Sequence, residues 1–292
     1  MARSLARDQE GISTLWSLIG VLILVIAILG VYYGYVVPRF PGPPIRAQGG
    51  DAVRVDYVGT FLEDGLVFDT SLVSVAQDNA SHAKAFSFAW HGDWAPLSFT
   101  VGAGTVVKGF DNGVEGLAVG DTKTIVVPPA LGYGISDPSK IFVKPLFEFV
   151  PVRLTMNATD FRTTYSTPAI SGTSVADPFW GWPAGVSVAG TVVTVTNSPV
   201  PGLKYRPYGA WDAQIDSIDD GADGGVGRIV VHHLLDSNSA DRVGKKDSSG
   251  KVQFVVTAVD VAAGTYTLNF NEPVKGRTLI FQVTMVSISR LY

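Results

Sequence analysis

From Ile12 to Val37 the chain carries no charged residue, and the stretch from Leu18 to Leu29 is apolar on every face of a helix. About 20 such residues cross a bilayer core, so the pattern predicts a transmembrane helix over residues 12–37 behind an N-terminal tail of residues 1–11. Trp16 near one end and Tyr32, Tyr33 and Tyr35 near the other suit the interfacial aromatic belts. The run is too long for a signal-peptide core and no small-x-small cleavage site follows it, which favours a signal anchor over a cleaved leader. Pro38, Pro41, Pro43 and Pro44 stop the helix, because proline lacks the amide donor and restricts the residue before it. Residues 38–50 then read as a short, stiff stalk.

Beyond Ala52 the period changes from helix to strand. Val53, Val55, Tyr57 and Gly59 alternate with Arg54, Asp56 and Val58, as a half-buried strand does. Glu63, Asp64 and Gly65 form a turn signal before Leu66, Val67 and Phe68. Residues 71–96 make a long polar and aromatic connection, and 106–117 contain a short glycine-rich helix that depends on packing more than on propensity. Strands are expected at 122–127 and at 278–288, the latter with Leu279, Phe281, Val283 and Met285 on one face. Between them, 186–189, 191–196, 227–235 and 251–256 read as strands, and 159–165 as a short helix capped by Thr159.

Composition narrows the chemistry. The 292 residues are 46% hydrophobic and only 16% charged, against roughly 25% charged in ordinary soluble domains. A formal net charge of -4 provides no basic surface for nucleic acid, and with no cysteine there is no disulfide frame or thiol nucleophile. His82 and His91 have no third ligand at metal spacing. Asp216, Asp219, Asp220 and Asp223 miss the calcium-loop spacing and its terminal bidentate glutamate, and read as an acidic turn. His232 and His233 are adjacent on a strand and point to opposite faces. No cofactor and no metal are expected.

Three stretches carry a resemblance. Residues 55–71 hold Tyr57, Phe68 and Asp69; residues 96–115 with 129–134 hold Leu97, Val106, Val107, Phe110 and Tyr133; residues 271–283 hold Phe281. Together and in this order they resemble the FKBP-type peptidyl-prolyl isomerases, and the long insertion before the last block is similar to the SlyD-like and archaeal branch, whose members carry a chaperone domain there. The resemblance implies an α+β fold, an antiparallel sheet wrapped on a short helix, built from residues 51–136 and 264–289 around a β-rich insert of residues 137–263. It also implies a catalytic pocket. Phe110 floors it beneath a proline ring, Phe68 and Phe281 wall it, and Tyr57 closes a further side. Val106 and Val107 form the rim with the Val107 N–H as donor, Tyr133 hydrogen-bonds a substrate carbonyl, and Asp69 faces the carbonyl before proline. Leu97 and Phe110 stand where many members have an aromatic and a tryptophan, which bears on macrolide affinity more than on isomerisation.

The insert's aromatic residues admit two readings. Phe179, Trp180, Trp182, Tyr205, Tyr208 and Trp211 form the insert's own core, or some, with Trp180 and Trp182 foremost, bind unfolded chain at the surface. The expected protein is thus a membrane-anchored isomerase and chaperone whose partners are proline-containing unfolded or nascent polypeptides. Arg3 and Arg7 before the helix nearly balance Arg39 and Arg46 after it, so charge decides orientation weakly; the short N-terminal tail favours a single pass in the cell membrane with the body extracytoplasmic. Two other classes fit part of the pattern: a holdase with a vestigial pocket, and a surface subunit whose Gly11 is similar to the cleavage point of archaeal pilin-like leaders.

Overall fold

The computed structural model describes residues 2–36 and 43–290 and divides into two units, residues 1–46 and 47–292. In the first, helix α1 (Ala2–Val31) runs into a π-helical turn, Tyr32–Val36. The helix begins well before the expected boundary at Ile12, so the tail is helical from Ala2. Thr14–Tyr35 is long and apolar enough to cross a membrane. Residues 37–42, where the helix is expected to end and the proline stalk to begin, lie outside the described residues.

The second unit starts at Ala47, earlier than the expected end of the stalk. Ala47 is buried and closes a two-way backbone bridge, donating to Leu117 and accepting from Gly116, each at 2.8 Å. Strands β1 (Ala52–Phe61), β2 (Val67–Thr70), β3 (Leu97–Thr100) and β4 (Thr122–Val127) are joined by the chain's last strand, β17 (Leu279–Ser289). Their order is β2-β1-β17-β4, with β3 on β1. Alternation does what it predicts here: Val53 and Val55 on β1 and Leu279, Phe281, Val283 and Met285 on β17 all face one core. Helix α2 (Val73–Gln77) precedes β3, and helix α3 (Lys108–Val114) lies on the core face. A Cβ on Gly113 would sit 2.5 Å from Ile125 Cγ2, so glycine is what lets α3 approach β4. The helix falls within 106–117 as expected, bounded by extended Val107 as its N-cap and by Glu115, which leaves the helical region.

The insertion forms three antiparallel sheets of four strands. Strands β5 (Ile141–Pro145), β6 (Phe147–Pro151) and β7 (Arg153–Asn157) are separated by one residue each, Leu146 and Val152, both buried as corners. Helix α4 (Ala158–Tyr165) and strands β8 (Ser174–Ala176), β9 (Pro183–Ala189) and β10 (Val192–Asn197) follow. Strands β11 (Lys204–Tyr205), β12 (Ala213–Asp219) and β13 (Arg228–His233) come next, then β14 (Gly244–Lys246), β15 (Val252–Asp260) and β16 (Thr265–Asn269). The sheets are β7-β10-β9-β8, β11-β12-β13-β6 and β14-β15-β16-β5, so β5, β6 and β7 are each an edge strand. Asn157, not Thr159, caps α4, accepting from the Asp160 N–H at 2.8 Å.

Because β16 pairs with β5, the insertion extends past the expected boundary at 263 to Asn271. Its ends are clasped there. The Asp137 N–H donates to Asn271 Oδ1 at 2.9 Å and Asn271 Nδ2 donates back to the Asp137 carbonyl at 3.0 Å. A second anchor lies at Asp241, whose carbonyl accepts from the Phe86 N–H at 2.7 Å and whose carboxylate meets Arg277 at 2.9 Å. Arg277 also pairs with Glu63 and lies 4.0 Å over the Phe61 ring.

Candidate functional site

The edge-to-face packing of three phenylalanines defines the site. Phe110 on α3 stands 5.0 Å from Phe281 on β17 at 81°, and Phe281 stands 5.7 Å from Phe68 on β2 at 84°. Such T-shaped contacts set the positive edge of one ring against the negative face of the next. Tyr57 on β1 completes the box, 6.1 Å from Phe110 at 82°. Gly59 makes this closeness possible, since a Cβ there would lie 2.8 Å from Phe68 Cζ and 3.0 Å from Phe281 Cε1. Phe110, Phe281 and Phe68 are 2%, 5% and 8% exposed, so the walls are dry and held by the core.

These rings, with Asp69, Leu97, Val106, Val107 and Tyr133, line one pocket of about 80 Å³. That is far below the ~300–1,000 Å³ of sites for drug-sized ligands and suits a single small ring. The rim is fixed from below: the Asp111 carboxylate accepts from the Gly102 N–H at 2.9 and 3.0 Å, tying the loop before Val106 to α3. The Val107 N–H has no hydrogen-bond partner among the described residues, as the first donor of a short helix is expected to be.

Asp69 is the pocket's carboxylate, and it is oriented on both oxygens. Tyr57 Oη donates to Oδ2 at 2.7 Å and the Thr70 N–H donates to Oδ1 at 2.9 Å. Burial, reinforced by the Asp69 hydrogen bond and charge, pushes the Tyr57 hydroxyl far above its usual range. Burial and the Asp69 charge push Tyr133 up as well. Both hydroxyls therefore remain donors at any physiological pH. The shift has a consequence for stability. Above about pH 10 an unfolded tyrosine releases its proton while folded Tyr57 keeps it, so the unfolded chain gains and stability falls as pH rises from there. Urea midpoints measured between pH 8 and 11 should fall less steeply for Tyr57→Phe than for wild type; equal slopes would count against the buried hydroxyl.

All nine pocket residues read from the motifs thus meet in one place, whereas Trp180 and Trp182 do not. They are 6% and 0% exposed, stacked at 4.9 Å and 4° in the core of the second insert sheet, where Trp182 Nε1 donates to Asn197 Oδ1 at 3.0 Å. They form interior and offer no surface to a client. His91 is the residue the motifs miss. In the loop between α2 and β3 it stacks 4.2 Å from Trp94, and its Nε2 is 3.8 Å from Asp69 Oδ1. A histidine in a long loop gives no sequence signal of that approach. His232 and His233 do part to opposite faces: His232 stacks on Phe147, while buried His233 accepts from Trp211 Nε1 at 3.0 Å and meets Glu148 through Nε2 at 3.3 Å.

A small aromatic box with one oriented carboxylate and a rim N–H without a partner among the described residues has room for a single small ring, and the domain that holds it is similar to the FKBP-type peptidyl-prolyl cis-trans isomerases. The family model of that description matches residues 44–145. The chain is 37% identical over 107 residues to the short-type peptidyl-prolyl cis-trans isomerase of Methanocaldococcus jannaschii, covering 34% of this chain and 62% of that protein. It is 36% identical over 90 residues to the peptidyl-prolyl cis-trans isomerase FPR2 of Saccharomyces cerevisiae, covering 31% and 53% respectively. The chain therefore spans between about half and two thirds of the length of these curated relatives. The crystal structure of AtFKBP13 aligns over 32% of this chain and 63% of its own at 29% identity and a TM-score of 0.23.

Proposed function

We propose that this protein is a peptidyl-prolyl cis-trans isomerase of the SlyD-like branch, held in a membrane by α1 with its body outside the cytoplasm, and that its insertion acts as a chaperone surface. The observation that carries the catalytic reading is the convergence of nine motif residues on one dry pocket. Rotation about a peptide bond costs about 18–20 kcal/mol because twisting sacrifices amide resonance, and X-Pro bonds exchange over tens to hundreds of seconds. The twisted amide is less dipolar than the planar one. An apolar box that grips the ring, with the carbonyl before proline set against the Asp69 carboxylate, favours the twisted form by differential binding. Tyr133 and the Val107 N–H hold the flanking carbonyls in register. No bond to the protein forms, and the proton on each tyrosine stays where it is.

The test is a proline-isomerisation assay on the full chain in detergent micelles. Asp69→Ala is expected to lower turnover about tenfold, equivalent to ~1.4 kcal/mol of barrier. It should cost ~1–2 kcal/mol of stability, because Tyr57 Oη loses its acceptor. A folded wild type that accelerates no apolar-X-Pro peptide would end the catalytic reading.

The chaperone reading is supported by a different surface from the tryptophans. Strand β5 is exposed at all five positions, and Phe142, Val143, Phe149 and Phe270 are 45%, 66%, 62% and 41% exposed. Apolar side chains along an edge strand suit extended, unfolded chain. A holdase without isomerase activity rests on this same surface; suppression of aggregation by an inactive wild type would favour it.

A further inference from the structure

A second cavity, of about 530 Å³, lies on the other side of the Phe68 wall. One bank comes from the isomerase domain, with Phe68, Ser87 and Glu272, and the other from the insertion, with Lys140, Lys251 and Phe270. We propose that this cleft is a subsite for the polypeptide whose proline occupies the aromatic pocket, and that it selects acidic side chains flanking that proline. The proposal rests on the isomerase reading above and adds a sequence preference to it.

Three observations point the same way. Continuity is the first: Phe68 lines both the proline pocket and the cleft, so an extended chain leaving the pocket at ~3.5 Å per residue enters the cleft within a few residues. Its volume falls inside the ~300–1,000 Å³ of ligand sites and accommodates several side chains where the pocket accommodates one ring.

Charge is the second. Lys140 and Lys251 line the cleft with one carboxylate, Glu272; Lys140 also feels the charge of Asp137 and Lys251 that of Asp247, and neither lysine forms a salt bridge among the described residues. Lys251, Val252 and Phe270 also line an adjoining hollow of about 560 Å³ that adds Lys245 and Asp247. The Asp247 carboxylate is already committed to its own turn, accepting from the Ser249 N–H at 2.9 Å and the Lys251 N–H at 3.0 Å. Asp247 keeps its charge, so the two hollows together set three lysines, Lys140, Lys245 and Lys251, against two carboxylates, Glu272 and Asp247, a surplus of one positive charge on a protein whose net charge is -4.

The third is an unused donor. Ser87 Oγ is buried without a hydrogen-bond partner, which is rare in a finished interior. With the Ser87 hydroxyl turned towards the cleft that the residue lines, a carboxylate or backbone carbonyl laid there would accept from it. Phe270, exposed beside it, supplies an apolar floor for the stem of a glutamate or aspartate.

The experiment titrates the full chain in micelles with fluorescein-labelled single-proline peptides, read by anisotropy. They carry Glu, Ala or Lys at about two to four residues before or after the proline. On one flank the Glu peptide should bind ~5–10-fold more tightly than the Ala peptide and the Lys peptide more weakly. The spread should collapse near 1 M salt, where the Debye length is about 3 Å. Lys140→Glu with Lys251→Glu should reverse the order, its folding checked by melting temperature; should it not fold, Lys140→Gln with Lys251→Gln should level the three affinities. Equal affinities in wild type, or an unchanged order in a folded variant, would overturn the proposal. Turnover of uncharged proline tetrapeptides, which carry no side chain for the lysines to select, scores the isomerase reading separately. Turnover without a flank preference removes the cleft alone, and a flank preference without turnover removes the isomerase alone.

Discussion

Phe110→Ala is expected to abolish measurable isomerisation and to destabilise the domain by ~3–5 kcal/mol. The ring is 2% exposed and packs against Tyr57, Phe281 and Phe99, the last at 5.9 Å. Its loss leaves a hole that neighbours on β17 and β1 cannot fill without moving the pocket walls. Domains are typically stable by only ~5–15 kcal/mol, so much of that reserve is spent. Phe110→Leu separates the two effects: it retains most of the volume, should remain folded, and loses the aromatic floor. Turnover of Phe110→Leu near the wild-type value would show that the floor's aromaticity is irrelevant to catalysis.

Replacing residues 137–271 by a short turn should divide the activities. The Asp137–Asn271 clasp brings the two ends within hydrogen-bonding distance, so closing the gap strains neither β4 nor β17. Arg277 loses Asp241 but retains Glu63, and breaking one arm of a partly buried pair costs stability rather than the fold. Turnover of tetrapeptides should persist, because every pocket residue lies outside the insertion. Catalysis of a proline-limited refolding reaction should fall sharply and aggregation suppression should vanish, since tethering clients nearby raises their local concentration into the ~mM range. Equal losses on peptides and proteins would mean that the insertion merely supports the isomerase sheet. No loss on protein clients would remove its chaperone role.

The domain that holds the pocket was legible because its signals are local. Val53 to Gly59 alternate along one strand, and the pocket residues fall in short stretches that need only be folded together. The insertion was legible as β structure but not as three sheets, because alternation tells a strand that one face is buried and not against what. For the same reason the boundary was misplaced: Thr265 to Asn269 alternates equally well in either domain, and only pairing with β5 assigns it. Trp180 and Trp182 illustrate a related ambiguity, since a large ring is equally valuable inside a core or on a binding face. Asp241 and His91 gave no signal at all. Each is defined by a partner far away in sequence, Arg277 for one and Asp69 for the other.

The position of β17 has a consequence for the birth of the molecule. It is made after every other described strand, yet it sits between β1 and β4, in the middle of its sheet. On the ribosome, β1 to β4 emerge without their central partner, and the entire insertion follows before Phe281 appears. At ~5–20 residues per second that interval is on the order of ten seconds, long enough for the β7-β10-β9-β8 sheet, whose strands all lie between Arg153 and Asn197, to fold first. The aromatic pocket therefore closes only after Phe281 has emerged, and until then the nascent chain exposes an unpaired β1 edge that its own translation rate keeps open.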